Sequence, residues 1–249
     1  MKTIKYLVLV FSLGLLMASC GEDPKENGVI DLNFKLRYAG DPVVMLEPYT
    51  LPNGLNINFS RVSFYMSDIT LAGGNEQALN TVDYINLTNS NLSTSSSLAG
   101  YKHRITAQEG EHTILAFLFG VNSVKNSMVP ADFGSDNDLS LSQEYWPGWS
   151  SYVFVKIEGN IDLDGDGVFE QGMALHIGGD EALSELQISG DLTVVANSTK
   201  DVPITIDLYK MLALDTVFDL EANPQIHSLD QADIVLDLSD RFVNAITIE

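Results

Sequence analysis

The sequence predicts an all-β chain, folded as a single-domain β-sandwich with long loops and one or two short helices near the carboxyl end. Three observations carry this reading. Short stretches alternate apolar and polar residues with period two; clusters of glycine, asparagine and serine separate them; and the chain shows neither an internal repeat nor a clear linker.

The elements follow in order. Residues 29–36 alternate, with Ile30, Leu32, Phe34 and Leu36 inward and Asp31, Asn33 and Lys35 outward, so they form a first strand. Residues 38–55 carry three prolines and read as a loop. Leu55, Ile57 and Phe59 alternate again, and residues 61–71 are rich in β-formers before a turn at Gly73-Gly74. Residues 83–87 make a short strand; residues 88–97, rich in Asn, Ser and Thr, read as a solvated loop. Residues 101–106 and 112–119 read as strands paired around Glu109-Gly110. The apolar run 114–119 belongs in the centre of the core. Residues 122–143 are long, polar and irregular, the kind of segment that covers a site. Beyond residue 180, the segments 184–188, 191–196 and 203–208 are strand-like. Residues 209–214 and 231–243 are helical, the second with Asp230 as its cap.

The amino terminus is a processing segment. Lys2 and Lys5 precede an apolar run over residues 6–17, broken only by Ser12 and Gly14, too short to span a bilayer. Small residues then lead to Cys20, the single cysteine of the chain. This resembles a bacterial lipobox and predicts a signal peptide over residues 1–19, lipidation at Cys20, a tether over 20–28 and a folded domain over 29–249. The expected location is the Gram-negative cell envelope, as an outer-membrane lipoprotein held to the membrane through its lipid. An acylated Cys20 leaves no thiol for a disulfide or a thiolate metal site. The formal net charge of −21, more negative once Lys2 and Lys5 are removed, repels phosphate backbones and excludes nucleic acid as a partner. It favours divalent cations instead.

The densest chemistry lies in residues 145–179. Residues 151–157 alternate as a strand, with Val153, Val155 and Ile157 on one face and Tyr152, Phe154 and Lys156 on the other. Residues 173–177 form a second strand between glycines. The acidic turn between them sets Asp162, Asp164 and Asp166 at positions 1, 3 and 5 of an EF-hand-like loop. Gly167 falls at 6, the Val168 carbonyl at 7 and Glu170 at 9. Hard oxygens at alternate positions around a sharp turn suit Ca²⁺, although position 12 is Met173 and supplies no bidentate carboxylate. The competing reading is a solvated Asp-Gly hairpin turn. From spacing alone, Trp146 and Trp149 read most simply as core or rim aromatics, and His176 as a hydrogen-bonded core histidine rather than a ligand. Glu158 with Asp162 would be the only paired carboxylates for catalysis, and His103 or His112 the available bases. No Ser-His-Asp spacing, phosphate loop or HExxH supports them, so the expected role is non-catalytic.

Several segments together resemble one family. They are RVSFYMSDITL (61–71), FLFGVN (117–122), YWPGWSSYVFVKIEG (145–159), ALHIGG (174–179) and VPITIDLYK (202–210), followed by His227 ahead of residues 232–242. They cover most of the mature chain and are similar to the MbnP-like family of copper-associated lipoproteins and periplasmic proteins. The resemblance implies that one tryptophan of the Trp-rich segment, Trp146 or Trp149, is oxidised to kynurenine by a di-haem peroxidase partner. It further implies that the modified residue binds copper(I) with histidines, His176 first and His227 second. The two tryptophans stand three apart rather than two, and the family's Asn-His pair is replaced by Asn122-Ser123 or Asn126-Ser127. The alternative is therefore an extracytoplasmic interaction or ligand-binding lipoprotein that keeps the scaffold without copper.

Overall fold

A computed structural model describes residues 25–227 and 229–248. The expected signal peptide, Cys20 and most of the expected tether lie outside the described residues. The folded part begins with β1 (Asn27–Tyr38), β2 (Asp41–Pro42), β3 (Tyr49–Thr50), β4 (Asn56–Ala72), β5 (Gln77–Asn86) and α1 (Thr94–Ala99). Next come β6 (Tyr101–Gln108), β7 (Ile114–Phe119), α2 (Ser123–Asn126), β8 (Tyr145–Trp146), β9 (Ser151–Asp162) and β10 (Gln171–Gly178). The chain closes with β11 (Ser184–Ser189), β12 (Thr199–Asp207), α3 (Leu208–Ala213), β13 (Gln225–Ile226), α4 (Ala232–Asn244) and β14 (Ile246–Ile248).

The strands form two sheets in a sandwich-like, all-β arrangement, as the alternating pattern predicts. The five-stranded sheet runs β14-β12-β1-β2, with β6 also on β1. The nine-stranded sheet runs β11-β7-β4-β9-β10-β13, with β3 and β5 on β4 and β8 on β9. Both contain one parallel contact, β1 with β12 and β10 with β13, in otherwise antiparallel ladders. The core lies between the sheets. Phe34 of β1 meets Phe64 of β4 edge-on at 5.3 Å, and Phe64 meets Phe119 at 5.2 Å and Phe242 of α4 at 6.0 Å. Edge-to-face contacts at such separations add to the stabilisation from burying the rings.

Strand β4 is the spine of the larger sheet. The two alternating stretches on either side of Ser60 are one strand of 17 residues, not two. Its first half pairs with β9 and its second half with β7, and the change of partner is accommodated by a register shift between Ser67 and Thr70. Asp68 sits inside that shift with φ +53°, the left-handed conformation that Asp tolerates better than most residues.

Several local expectations are corrected. Residues 101–108 and 114–119 do not pair with each other. β6 joins β1 in the small sheet and β7 joins β4 and β11 in the large one, so the Glu109-Gly110 segment crosses between sheets instead of closing a hairpin. The supposed solvated loop at 88–97 contains α1, started by a reciprocal Ser93–Ser96 capping box, and it buries Asn91 and Ser97. Local serine hydrogen bonds at the amino end of a short helix outweigh its polar composition. Residues 191–196 form no strand; Val194 makes an isolated bridge to Gly110. The cap of α4 is Gln231 rather than Asp230, which lies one residue earlier in a 3₁₀ segment. The domain starts at Asn27, inside the expected tether, because β12 pairs with β1 from Val29 and Asn27 pairs with Gln108 of β6.

Gly159 of β9 lies opposite Phe59 of β4, and a Cβ there would lie 1.9 Å from the Asn58 carbonyl oxygen and 3.1 Å from Met173 Cε. Backbone cannot yield as a side-chain tip can. Gly159→Ala is therefore expected to cost about 2–3 kcal/mol, read as a fall in thermal midpoint of roughly 5–10 °C. An unchanged midpoint would show that the two strands can part without loss.

Candidate metal centre

The two faces of β9 explain the site. Val155 lies opposite Phe64 in the ladder, so Val153, Val155 and Ile157 face the inter-sheet core. Tyr152, Lys156 and Glu158 point to the outer face, as do Ser63 and His176, the ladder partners of Lys156. An outer face would normally meet water, yet Tyr152 and Lys156 are buried. The long segment 122–149 lies across them. Tyr65 Oη donates to the Asp138 carbonyl (3.1 Å), Tyr152 Oη to the Leu139 carbonyl (2.7 Å) and Lys156 Nζ to the Gln143 carbonyl (2.6 Å). The irregular segment is thus a cover pinned to the sheet by side chains that reach up to its carbonyls.

Ionised groups run along this covered face. Glu144, 1% exposed, accepts a hydrogen bond from Arg61 and lies 3.0 Å from Lys156 Nζ. Arg61 also donates to Tyr84 Oη (2.7 Å) and stands 4.0 Å from Glu158. Glu158 in turn shares a 2.8 Å hydrogen bond with Nε2 of His176. Glu158 and His176 are diagonal neighbours across the β9–β10 ladder, Glu158 being opposite Ala174 and His176 opposite Lys156. The hydrogen bond from His176 holds the Glu158 carboxyl below its ordinary value of 4.5 against the opposing effect of burial, with the Arg61 and Lys156 charges helping.

Two short ladders bring the remaining residues to His176. Tyr145 and Trp146 of β8 pair with Tyr152 and Ser151, and a tight turn returns the Trp149 amide to the Trp146 carbonyl at 3.1 Å. Gly178 gives Trp149 its place: a Cβ there would come 2.8 Å from the indole. On the far edge, β13 pairs with Ala174 and Leu175 of β10 and delivers His227 one residue later, with Gln231 accepting from its backbone amide (3.1 Å). The four rings form one cluster. Centroids are 6.2 Å apart for Trp146–Trp149, 6.3 Å for Trp146–His176, 5.4 Å for Trp146–His227 and 6.5 Å for His176–His227.

The donor set can be tested against a metal. With Nε2 committed to Glu158, His176 keeps Nδ1, which is buried and has no hydrogen-bond partner among the described residues. A carboxylate on one ring nitrogen and a free lone pair on the other is how metal-ligating histidines are commonly held. Two imidazoles bound on opposite sides of one ion, at about 2 Å each, have ring centres roughly 6 Å apart, close to the spacing here. Imidazole nitrogens suit copper, and the residues fit it. Trp149 Nε1 is also buried without a partner, but an intact indole N–H donates and offers no ligand lone pair.

The acidic turn is a separate place. One carboxylate oxygen from each of Asp162, Asp164 and Asp166 lies within 4.8 Å of the others. Asp162, buried at 2% exposure, accepts from the amides of Gly165 (2.8 Å) and Gly167 (3.1 Å) and from Asn56 Nδ2 (3.3 Å). Burial pushes its carboxyl up, but these hydrogen bonds prevail and leave it lowered. Gly165 and Gly167 sit at φ +78° and +89°, which lets the loop fold back on its first aspartate. The Glu170 carboxylate accepts from the Leu163 amide (3.0 Å), and Val168 is exposed.

The other residues weighed for chemistry are engaged elsewhere. Glu158 and Asp162 serve different partners, His103 Nε2 meets Asp83 at 3.0 Å and His112 meets Gln77 at 3.1 Å. Of the two Asn-Ser pairs, Asn126-Ser127 is the one that lines a cavity with Trp149. Sequence reasoning missed Glu158 as the partner of His176, and Arg61, Glu144 and Lys156 as the chain of charges behind it. Only the cross-strand register could have joined them.

The MbnP family model matches residues 27–228. Among solved structures, MbnP from Methylosinus trichosporium is similar in fold, with a TM-score of 0.52 and 13% sequence identity over 75% of this chain and 78% of that one. No curated protein matches the sequence.

Because folding lowers the Glu158 pKa, its stabilising contribution is complete above the unfolded value and is lost as pH falls through the folded one. The stability gap between the natural chain and Glu158→Gln, measured by urea unfolding, should be present above the ordinary carboxyl value of 4.5 and shrink as pH falls below it. A gap that persists or widens on acidification would contradict the assigned direction.

Proposed function

Since the chain belongs to the MbnP family, we propose that it is a lipid-anchored cell-envelope protein that handles copper and does not catalyse. The observation that carries the reading is the ring cluster of Trp146, Trp149, His176 and His227, together with the buried, unpartnered Nδ1 of His176. His176 would hold the ion through Nδ1, oriented by Glu158, and His227 would supply the second imidazole. Bound copper brings a soft, redox-active cation. The chain's own part is to fix two imidazoles, keep water from one of them and set an indole beside both. A tryptophan opened to kynurenine gains one oxygen and loses one carbon, and it offers an amine in place of the indole N–H. Trp146 is the better candidate for that change, because it contacts both imidazoles. A di-haem peroxidase at the envelope would be the oxidising partner.

His176→Ala should weaken copper(I) binding by about 100-fold or more, while His103→Ala leaves it unchanged, as read by competition with a chromophoric chelator. Intact mass after co-expression with a di-haem partner under copper supply reports the exchange of carbon for oxygen. Equal copper affinity in the His176 and His103 variants would leave the alternative standing, a ligand-binding lipoprotein that keeps the scaffold alone.

We also propose that the Asp162–Glu170 loop holds a structural Ca²⁺, through Asp162, Asp164, Asp166, the Val168 carbonyl and Glu170. Three convergent carboxylates around two left-handed glycines support it. Saturating calcium should raise the thermal midpoint by a few degrees over the chelated protein, and Asp162→Asn should abolish the rise. A midpoint indifferent to calcium would return the loop to an ordinary acidic turn.

A further inference from the structure

Trp149 also forms the wall of a second space. A cavity of about 580 Å³ opens between the Trp149 turn, the end of β10 and α4. Its floor is apolar, made by Trp149, Ala182, Val235 and Leu236, and its rim carries Asp180 and Glu181. Neither lysine nor arginine lines it. The volume falls in the range of small-molecule sites, which combine an apolar lining with a few placed polar groups.

The polar groups here are placed by a rigid bracket. Asn126, 4% exposed, accepts from Ser151 Oγ (3.0 Å) and from the Tyr152 amide (2.8 Å) and donates to Asp180 Oδ1 (2.8 Å). Ser151 Oγ in turn accepts from the Gly179 amide (3.0 Å), so the turn that carries Asp180 is tied to β9. Asn126 and Ser151 therefore spend their hydrogen-bonding capacity on the protein. What remains for a ligand is negative charge at the rim, an indole surface and aliphatic floor.

That combination selects a cation with an apolar body. We propose that this cavity binds a small organic ammonium ion, with Asp180 and Glu181 facing the charge and Trp149 contributing cation–π attraction. A neutral apolar ligand would leave the two carboxylates unanswered, and an anion would be repelled by them. The inference goes beyond the copper reading; it shares Trp149 with the ring cluster but uses neither histidine.

The test uses the chelator-treated mature chain, titrated with phenethylammonium chloride and with its neutral counterpart 2-phenylethanol, followed by tryptophan fluorescence and calorimetry. The ammonium is expected to bind saturably and at least about tenfold more tightly than the alcohol. Glu181→Gln should weaken it about fivefold, and Leu236→Lys, which puts a competing cation at a partly exposed position on the wall, should abolish it without unfolding the chain by circular dichroism. His176→Ala should bind the ammonium as the natural chain does. Equal affinity for the alcohol, absence of saturable binding by folded protein, or binding unaltered in both the Glu181 and Leu236 variants would each overturn the proposal. None of those results bears on copper.

Discussion

A nine-stranded sheet has two faces, and only one can pack against the smaller sheet. The other must be covered, and in this chain the cover is a mostly irregular segment whose own backbone needs hydrogen-bond partners. Glu144 meets that constraint. It lies on the cover, is almost wholly buried and faces Arg61 and Lys156, which rise from β4 and β9. Breaking a buried pair by removing one partner typically costs about 3–5 kcal/mol, because the other charge is stranded. The net contribution of such a pair to stability is smaller. Its larger effect is on position: of all the ways the cover could lie on the sheet, few satisfy one carboxylate between two fixed cations.

That position decides where the aromatic turn goes. Glu144 directly precedes β8, so anchoring it sets the register in which Tyr145 and Trp146 pair with β9. The same charges continue through Arg61 to Glu158 and so to His176. The cover and the imidazole are thus held by one run of alternating charges rather than by separate contacts. His227 arrives independently, through the parallel contact of β13 with β10. A site assembled from three distant segments inherits its precision from ladders only two residues long, with His176 held at its back by Glu158 as well.

Much of the fold was legible in the sequence because period-two alternation is a local signal. β1, β4, β9, β10, β12 and both helices of the carboxyl end fall where the pattern puts them. Partnership between strands is not local, and there the pattern misleads. Residues 101–108 and 114–119 look like a hairpin, yet nothing in their composition says that they belong to different sheets. The Asp residues of the acidic turn stood out by type and spacing, and the Trp and His residues of the ring cluster through the family resemblance. Glu158 did not, since an acid in so acidic a chain reads as solvated surface until the register puts it beside His176. Lys156 reads as the polar side of a strand, and its burial depends on a cover, residues 122–143, that reads as irregular.

The two candidate centres also differ in a way that β9 makes concrete. His176 sits opposite Lys156, and Asp162 lies six residues further along the same strand. At about 3.3 Å per residue this places roughly 20 Å of strand between them. That is about twice the distance over which charges are felt through salt water, so the aspartates cannot serve as a reservoir of ligands or of negative charge for the imidazoles. Each centre must be chemically self-sufficient. The turn has only oxygen donors and suits a hard cation; the ring cluster offers nitrogen, with its one close carboxylate turned to the back of the histidine. A cation bound at one end would reach the other only by stiffening β9 and its partners, which means that coupling between them would be mechanical and small while their selectivities remain independent.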